Sequence, residues 1–274
     1  MHLLPRLVHS SLGKKYVMAV TGLLLIGFVL THMAGNLLIF FGPDALNSYA
    51  AALKAKPYLL WPARIGLLVV FLIHLYVAFR LTYENYAARP QGYVHERTLQ
   101  ASFASRHMML TGMVLLAFIV YHLAHFTFGV VARADGQVAV NGAWLPVNKN
   151  KNYLDLTEIH PSGMRAYIPA SDQNLRDLDP RTIDARQDVY SMVVSGFRNP
   201  WISLSYIVAM LFLGLHLWHG GGSWLESLGL GAPASTVPHA SSYLGPILAV
   251  IVVAGNCAIP ISVWLGIFTK TPLP

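Results

Sequence analysis

The chain has 274 residues, 55% of them hydrophobic and only 11% charged, with a formal net charge of +7. A soluble domain of this composition could not cover its own surface with polar groups, so a membrane protein is expected. The positive charge does not point to nucleic acid, because the basic residues flank apolar runs instead of forming a stripe with interleaved aromatics; lipid headgroups and partner proteins suit it better.

Five windows, residues 16–41, 62–83, 108–131, 201–220 and 243–268, reach the roughly 20 apolar residues that cross a bilayer. The first is too long for a signal-peptide core and has no small-residue cleavage site behind it, so it is expected to remain as a spanning helix. Arg6, Lys14 and Lys15 precede this span, and Arg80, Arg89, Arg97 and Arg106 lie at or between the ends of the second and third. The loop between the first two spans holds only Lys54 and Lys56, with Arg64 at the start of the second, which predicts a cytoplasmic N-terminus. Residues 132–199 then form a long extracytoplasmic loop holding eight of the twelve acids, an insertion that the charge rule does not cover. Cys257 lies alone in the fifth span, where it reads as a packing residue. The fold class expected is an all-α membrane protein, one domain over residues 1–274, with five transmembrane helices.

The chemistry lies in histidines. Six fall within the spans: His32 in the first, His74 in the second, His122 and His125 in the third, His216 and His219 in the fourth. A single intramembrane histidine often serves only as an interhelical hydrogen-bonding residue, but here four consecutive spans each supply one. At about 1.5 Å of rise per residue, His32 is about 25 Å from Lys15 and His122 about 24 Å from Arg106, whereas His74 is about 9 Å from Arg80 and His216 about 6 Å from the Gly220–Gly222 end. Two level pairs follow, His32 with His122 and His74 with His216, about 15 Å apart in depth. Two facing imidazoles at one level are what a low-spin haem iron requires, so the first four spans are expected to form a haem-binding bundle. Gly35, Ala78 and Gly112 near these histidines leave room for a flat macrocycle, although small residues also serve plain helix packing. Because residues three apart share a helix face, either member of the pairs His122/His125 and His216/His219 suits ligation, and a non-haem metal held by all four is a further option that the near absence of acids in the spans disfavours.

The stretches SSLGKKYVMAVTG, THMAGNL, GPDALNSYA, IHLYVAF, TGMVLLAFIVYHLAHF and VYSMVVSGFRNP leading to GLHLWHGG carry a resemblance over nearly the whole chain. It resembles the membrane-anchor cytochrome b subunit of succinate:quinone oxidoreductases (succinate dehydrogenase or fumarate reductase), of the single-subunit, five-helix, two-haem type. The resemblance implies two haem b groups, a distal one on His32 and His122 and a proximal one on His74 and His216. It places haem-propionate contacts at His9, Ser10, Ser11, Lys14 and Arg106, for which membrane-interface anchoring is the plain alternative, and leaves His125 and His219 as supporting or propionate partners or as buried polar residues. It further implies a flavoprotein subunit (FAD, succinate site) and an iron–sulfur subunit as partners, quinone as the electron acceptor, and a multi-pass location in a bacterial cell (inner) membrane. The anchor would be the electron-transferring, quinone-reducing part of that tricarboxylic acid cycle enzyme, with succinate oxidised on a partner. Asn47, Tyr49 and Trp61 in the first outer loop are the expected quinone contacts.

Gly214 stands where some family members carry a glutamate, and residues 42–62 contain none, which puts a proton-compensated fumarate-reducing mode in doubt. Electrons moving outward without compensation gain about 2.3 kcal/mol per 100 mV of membrane potential, so menaquinone, a low-potential quinone, is the acceptor expected. Two other functions compete: a di-haem cytochrome b anchor of a different quinone-linked dehydrogenase, and a haem-free transporter, against which stands the absence of an interrupted helix pair in the sequence.

Overall fold

The computed structural model describes residues 10–89, 91, 101–128, 137–140, 143–146, 166–168, 186–187, 189–230 and 240–268. Among them, five helical segments are long and apolar enough to cross a membrane: Ser11–Phe41, Pro57–Ala87, Met108–Thr127, Pro200–Ser227 and Ser242–Trp264. Each overlaps one of the five expected windows.

The first crossing is helix α1 (Ser11–Asn36). Ser10 opens it by accepting the Gly13 amide on its hydroxyl at 3.0 Å, which satisfies one of the amides a helix start leaves over. A 3-10 turn, Leu37–Phe41, closes it. Helix α2 (Pro43–Lys54) follows, with proline in its first turn, Asp44 beside it and Lys54 in its last turn, charges that match the helix dipole. Helix α3 runs from Pro57 to Ala87, beyond the apolar window at both ends, because backbone groups at an interface still need partners after hydrophobicity fades. That extension brings Glu84 into the helix. Helix α4 (Phe103–Arg106) is capped by the Ser102 hydroxyl on the Ser105 amide at 3.1 Å and leads into α5 (Met108–His122), which continues as a π-helical segment, Leu123–Thr127.

The segment expected as a loop over 132–199 contains regular structure. Four strands, β1 (Gln137–Val140), β2 (Ala143–Pro146), β3 (Ala166–Ile168) and β4 (Arg186–Gln187), form a sheet in the order β2-β1-β3-β4, with β1 and β3 parallel and the outer pairs antiparallel. Its last residues form helix α6 (Val189–Arg198). Asn199 then N-caps α7 (Pro200–Ser227), accepting the Trp201 amide at 3.0 Å, with Pro200 in the first turn. Helix α8 (Ala240–Trp264) is the fifth crossing. It stops before the end of the predicted window because Gly266, at φ 70°, turns the chain, and Ile267 and Gly266 donate to Ser262 and Val263 at 3.0 and 3.1 Å. Gly229, at φ 74°, ends the α7 crossing through the same pair of bonds.

Two compact units divide the chain, one of Met1–Met33, Trp61–Phe118 and Val208–Gly255, the other of Ala34–Leu60, Ile119–Ile207 and Asn256–Pro274. In the first, Ile26 of α1, Leu217 of α7 and Ala249 and Val252 of α8 form a buried cluster with Val29, Leu30, Leu213, Trp224 and Leu248 around it. Helices α7 and α8 approach through small residues: a Cβ on Gly245 would run into the Trp218 carbonyl, and one on Gly221 would lie 3.0 Å from the Gly245 Cα. In the second unit, α2 holds α6 through Asn47, whose fully buried Oδ1 accepts the Tyr190 amide at 3.0 Å.

Candidate functional site

Helices α1, α3, α5 and α7 bring two histidines of the first unit into matching surroundings. His74 on α3 and His216 on α7 are both half-buried. His74 Nδ1 lies 3.1 Å from Thr21 Oγ1 of α1, and His216 Nδ1 lies 3.1 Å from Thr111 Oγ1 of α5. Each threonine donates its only hydroxyl proton back along its own helix, Thr21 to the Val17 carbonyl at 2.7 Å and Thr111 to the Met108 carbonyl at 3.0 Å. Each hydroxyl oxygen keeps lone pairs with which to accept from an Nδ1–H, and in that tautomer Nε2 carries the lone pair. An imidazole hydrogen-bonded at one nitrogen in this way has its other nitrogen as the one that could bind a metal. Beside each ring is a glycine: a Cβ on Gly22 would sit 3.6 Å from His74 Cε1, and one on Gly112 would sit 3.7 Å from His216 Cε1. Each glycine thus lets the neighbouring helix come close to the histidine ring without a side chain between them.

The positions of the small residues correct the sequence expectation. At Gly35 the ring of Tyr49 fills the space above it, 2.8 Å from where its Cβ would be. Gly112 lies beside His216, a Cβ there coming 3.7 Å from His216 Cε1. Thr21, Gly22 and Thr111 were not expected at all, yet a signal for them exists: the dipeptide Thr-Gly precedes both His32 and His122 by the same interval.

In the second unit the histidines are enclosed differently. His125, in the π-helical segment, is 2% exposed and pairs through Nδ1 with the Tyr206 hydroxyl at 2.9 Å. Its ring stacks on Phe126 at 4.0 Å between centroids, and its Nε2 is 2.9 Å from where a Cβ on Gly196 would stand. Backbone thus blocks the nitrogen that a metal would need. His122 is half-buried, and its Nδ1 is 3.5 Å from the same Tyr206 hydroxyl, a long contact by hydrogen-bond standards. His32, in the first unit, is exposed and stacks on Phe28 one turn earlier at 5.3 Å.

The remaining predicted positions divide by what already holds them. Lys14, 4% exposed, forms an ion pair with Glu84, which also takes Arg80 Nε at 3.0 Å; this commits to a carboxylate the ammonium expected for a propionate. Ser10 serves the start of α1, Ser11 and Arg106 are exposed, and His219 is half-buried on α7. His9 lies outside the described residues. Of the three residues expected at quinone, Asn47 is buried and bound to Tyr190, Tyr49 packs on Gly35, and Trp61 is exposed with the Arg64 guanidinium 5.3 Å from its ring centroid. Gly214 has a structural reason of its own: a Cβ there would come within 2.6 Å of Val253 Cγ2, so an acid at that position would displace α8.

Among the described residues no group of three or more His, Cys, Asp or Glu side chains converges as for a protein-only metal cage; a macrocycle held by two axial histidines needs no such group. The fold and these side chains define a multi-pass α-helical membrane protein with hydroxyl-bonded histidines between its helices. No family model, curated protein or solved structure matches the chain.

Proposed function

We propose that this chain is the membrane-anchor, di-haem cytochrome b subunit of a succinate:quinone oxidoreductase. The carrying observation is the pair His74 and His216, each within hydrogen-bonding distance of a threonine at Nδ1 and each beside a glycine, which would leave Nε2 as the atom to hold a haem iron. Two histidines with hydrogen-bonded Nδ1 atoms suit a haem b, and the group when bound would supply one-electron transfer. The chain would hold such a group through the His74 and His216 imidazoles, with Thr21 and Thr111 tuning their basicity. A second haem on His32 and His122 rests on the sequence spacing and the family resemblance. So do the flavoprotein and iron–sulfur partners, the location in a bacterial cell membrane, and menaquinone as acceptor.

The test is purification of the complex from membranes, with haem content and optical spectra recorded before and after succinate. Two b-type haems per chain, reduced by succinate in a preparation that holds a flavoprotein and an iron–sulfur subunit, are expected. Two haems reduced only by another donor would move the chain to a different quinone-linked dehydrogenase, and the absence of a Soret band would leave the transporter reading.

A further inference from the structure

We infer that Thr21 and Thr111 are positioning residues for the axial ligands, a matched pair generated by an internal repeat of spans one–two and three–four. The inference rests on the haem reading and deepens it, assigning the two threonines a measurable effect on the haem potentials. The first and third spans share the pattern Thr-Gly, nine residues, His, as TGLLLIGFVLTH at 21–32 and TGMVLLAFIVYH at 111–122. The second and fourth share His-Leu-aromatic, as His74-Leu75-Tyr76 and His216-Leu217-Trp218. Each threonine then bonds the histidine of the span that follows a Thr-Gly span in its own repeat or its equivalent: Thr21 with His74, and Thr111 with His216, both at 3.1 Å. Chance packing would have no reason to give the same atom pair, the same distance and the same glycine neighbour twice.

The spacing also has a geometric meaning. Eleven residues are close to three helical turns, so threonine and histidine of each repeat fall on one face of their helix, about 16 Å apart along it. One helix therefore supports one level of ligand and provides the other. The hydroxyl suits this role because a backbone carbonyl one turn back is within reach of its proton, which leaves its oxygen to accept from Nδ1–H. A hydrogen bond accepted from Nδ1–H makes the imidazole a stronger electron donor at Nε2 and favours the oxidised iron. Loss of the hydroxyl should favour the reduced form.

The experiment uses the full complex with Thr21→Val, Thr111→Val and the corresponding Thr→Ser variants, and reads haem content, the low-spin EPR signal and a potentiometric titration. In each Val variant the reduced-to-oxidised ratio of one haem, at fixed ambient potential, should rise several-fold, where tenfold corresponds to 59 mV for one electron. Its EPR signal should shift while the other haem's stays, and Ser should restore both. Retained haem with unchanged potential and EPR signal overturns the inference and leaves the haem assignment standing. If a Val variant loses haem, restoration of content and potential by Ser supports the inference, and failure of Ser to restore them overturns it. Absence of haem from the unaltered complex overturns the reading beneath it.

Discussion

His216 and His125 are both hydrogen-bonded through Nδ1 to a hydroxyl, yet they are built for opposite purposes. At His216 the hydroxyl is Thr111 and a Cβ on Gly112 would make only ordinary contact with the ring at 3.7 Å; at His125 the hydroxyl is Tyr206 and a Cβ on Gly196 would come within 2.9 Å of Nε2. The glycine in the first unit leaves space beside a histidine, whereas the one in the second lets the histidine fill the space. Burial is therefore a poor guide to ligation: His125, 2% exposed, is the more enclosed of the two and the less able to bind a metal. His74 repeats His216 in its Nδ1–threonine contact and in its glycine neighbour, the features on which the proposed ligation rests.

The strongest way to break this contrast is to remove the histidines one at a time. His74→Ala or His216→Ala should lower the haem content from two per chain to one, while His125→Ala should keep both haems and lower stability by about 3 kcal/mol, the scale of emptying a large buried side chain. Loss of haem in His125→Ala, measured by pyridine haemochrome, would reverse the assignment. Of intermediate size is the pair of glycine changes. Gly196→Ala should destabilise by about 1–3 kcal/mol through overpacking against His125, whereas Gly22→Ala, whose Cβ would meet only ordinary contact with His74, should leave the thermal unfolding of the haem-free chain nearly unchanged. Tyr206→Phe should cost about 1–3 kcal/mol by leaving His125 Nδ1 without its partner, and haem content should hold at two; a loss of the haem assigned to His122 would show that the 3.5 Å contact matters more than its length suggests. The smallest effect expected is at the start of α1, where Ser10→Ala should cost about 1 kcal/mol, read as a lower unfolding temperature with unchanged spectra.

The family resemblance and the hydropathy windows made the membrane class and the five crossings legible, because a bilayer demands long apolar runs and leaves few alternatives. Histidines in those runs were equally legible, since polar groups there are costly. The ends of helices were less so. Glu84 falls outside the apolar window of residues 62–83, yet α3 continues through it and gives Lys14 its partner. Hydropathy cannot reveal such an extension, because the backbone hydrogen bonds that cause it are independent of side-chain polarity.

By itself, the sequence determined how many helices of this chain are long and apolar enough to cross a membrane, since that follows from hydropathy and the fixed rise of a helix. Only the tertiary structure decided which nitrogen each histidine presents and which neighbours are closed. The roles of Thr21 and Thr111 depend on atoms of other helices, as does the commitment of Asn47 to Tyr190. Gly35, Gly112 and Gly196 are the same residue type in the same kind of helix, and sequence spacing treats them alike. One is filled by Tyr49, one opens beside His216 and one presses on His125, because a glycine has no side chain with which to state its purpose and takes it from whatever the fold sets against it.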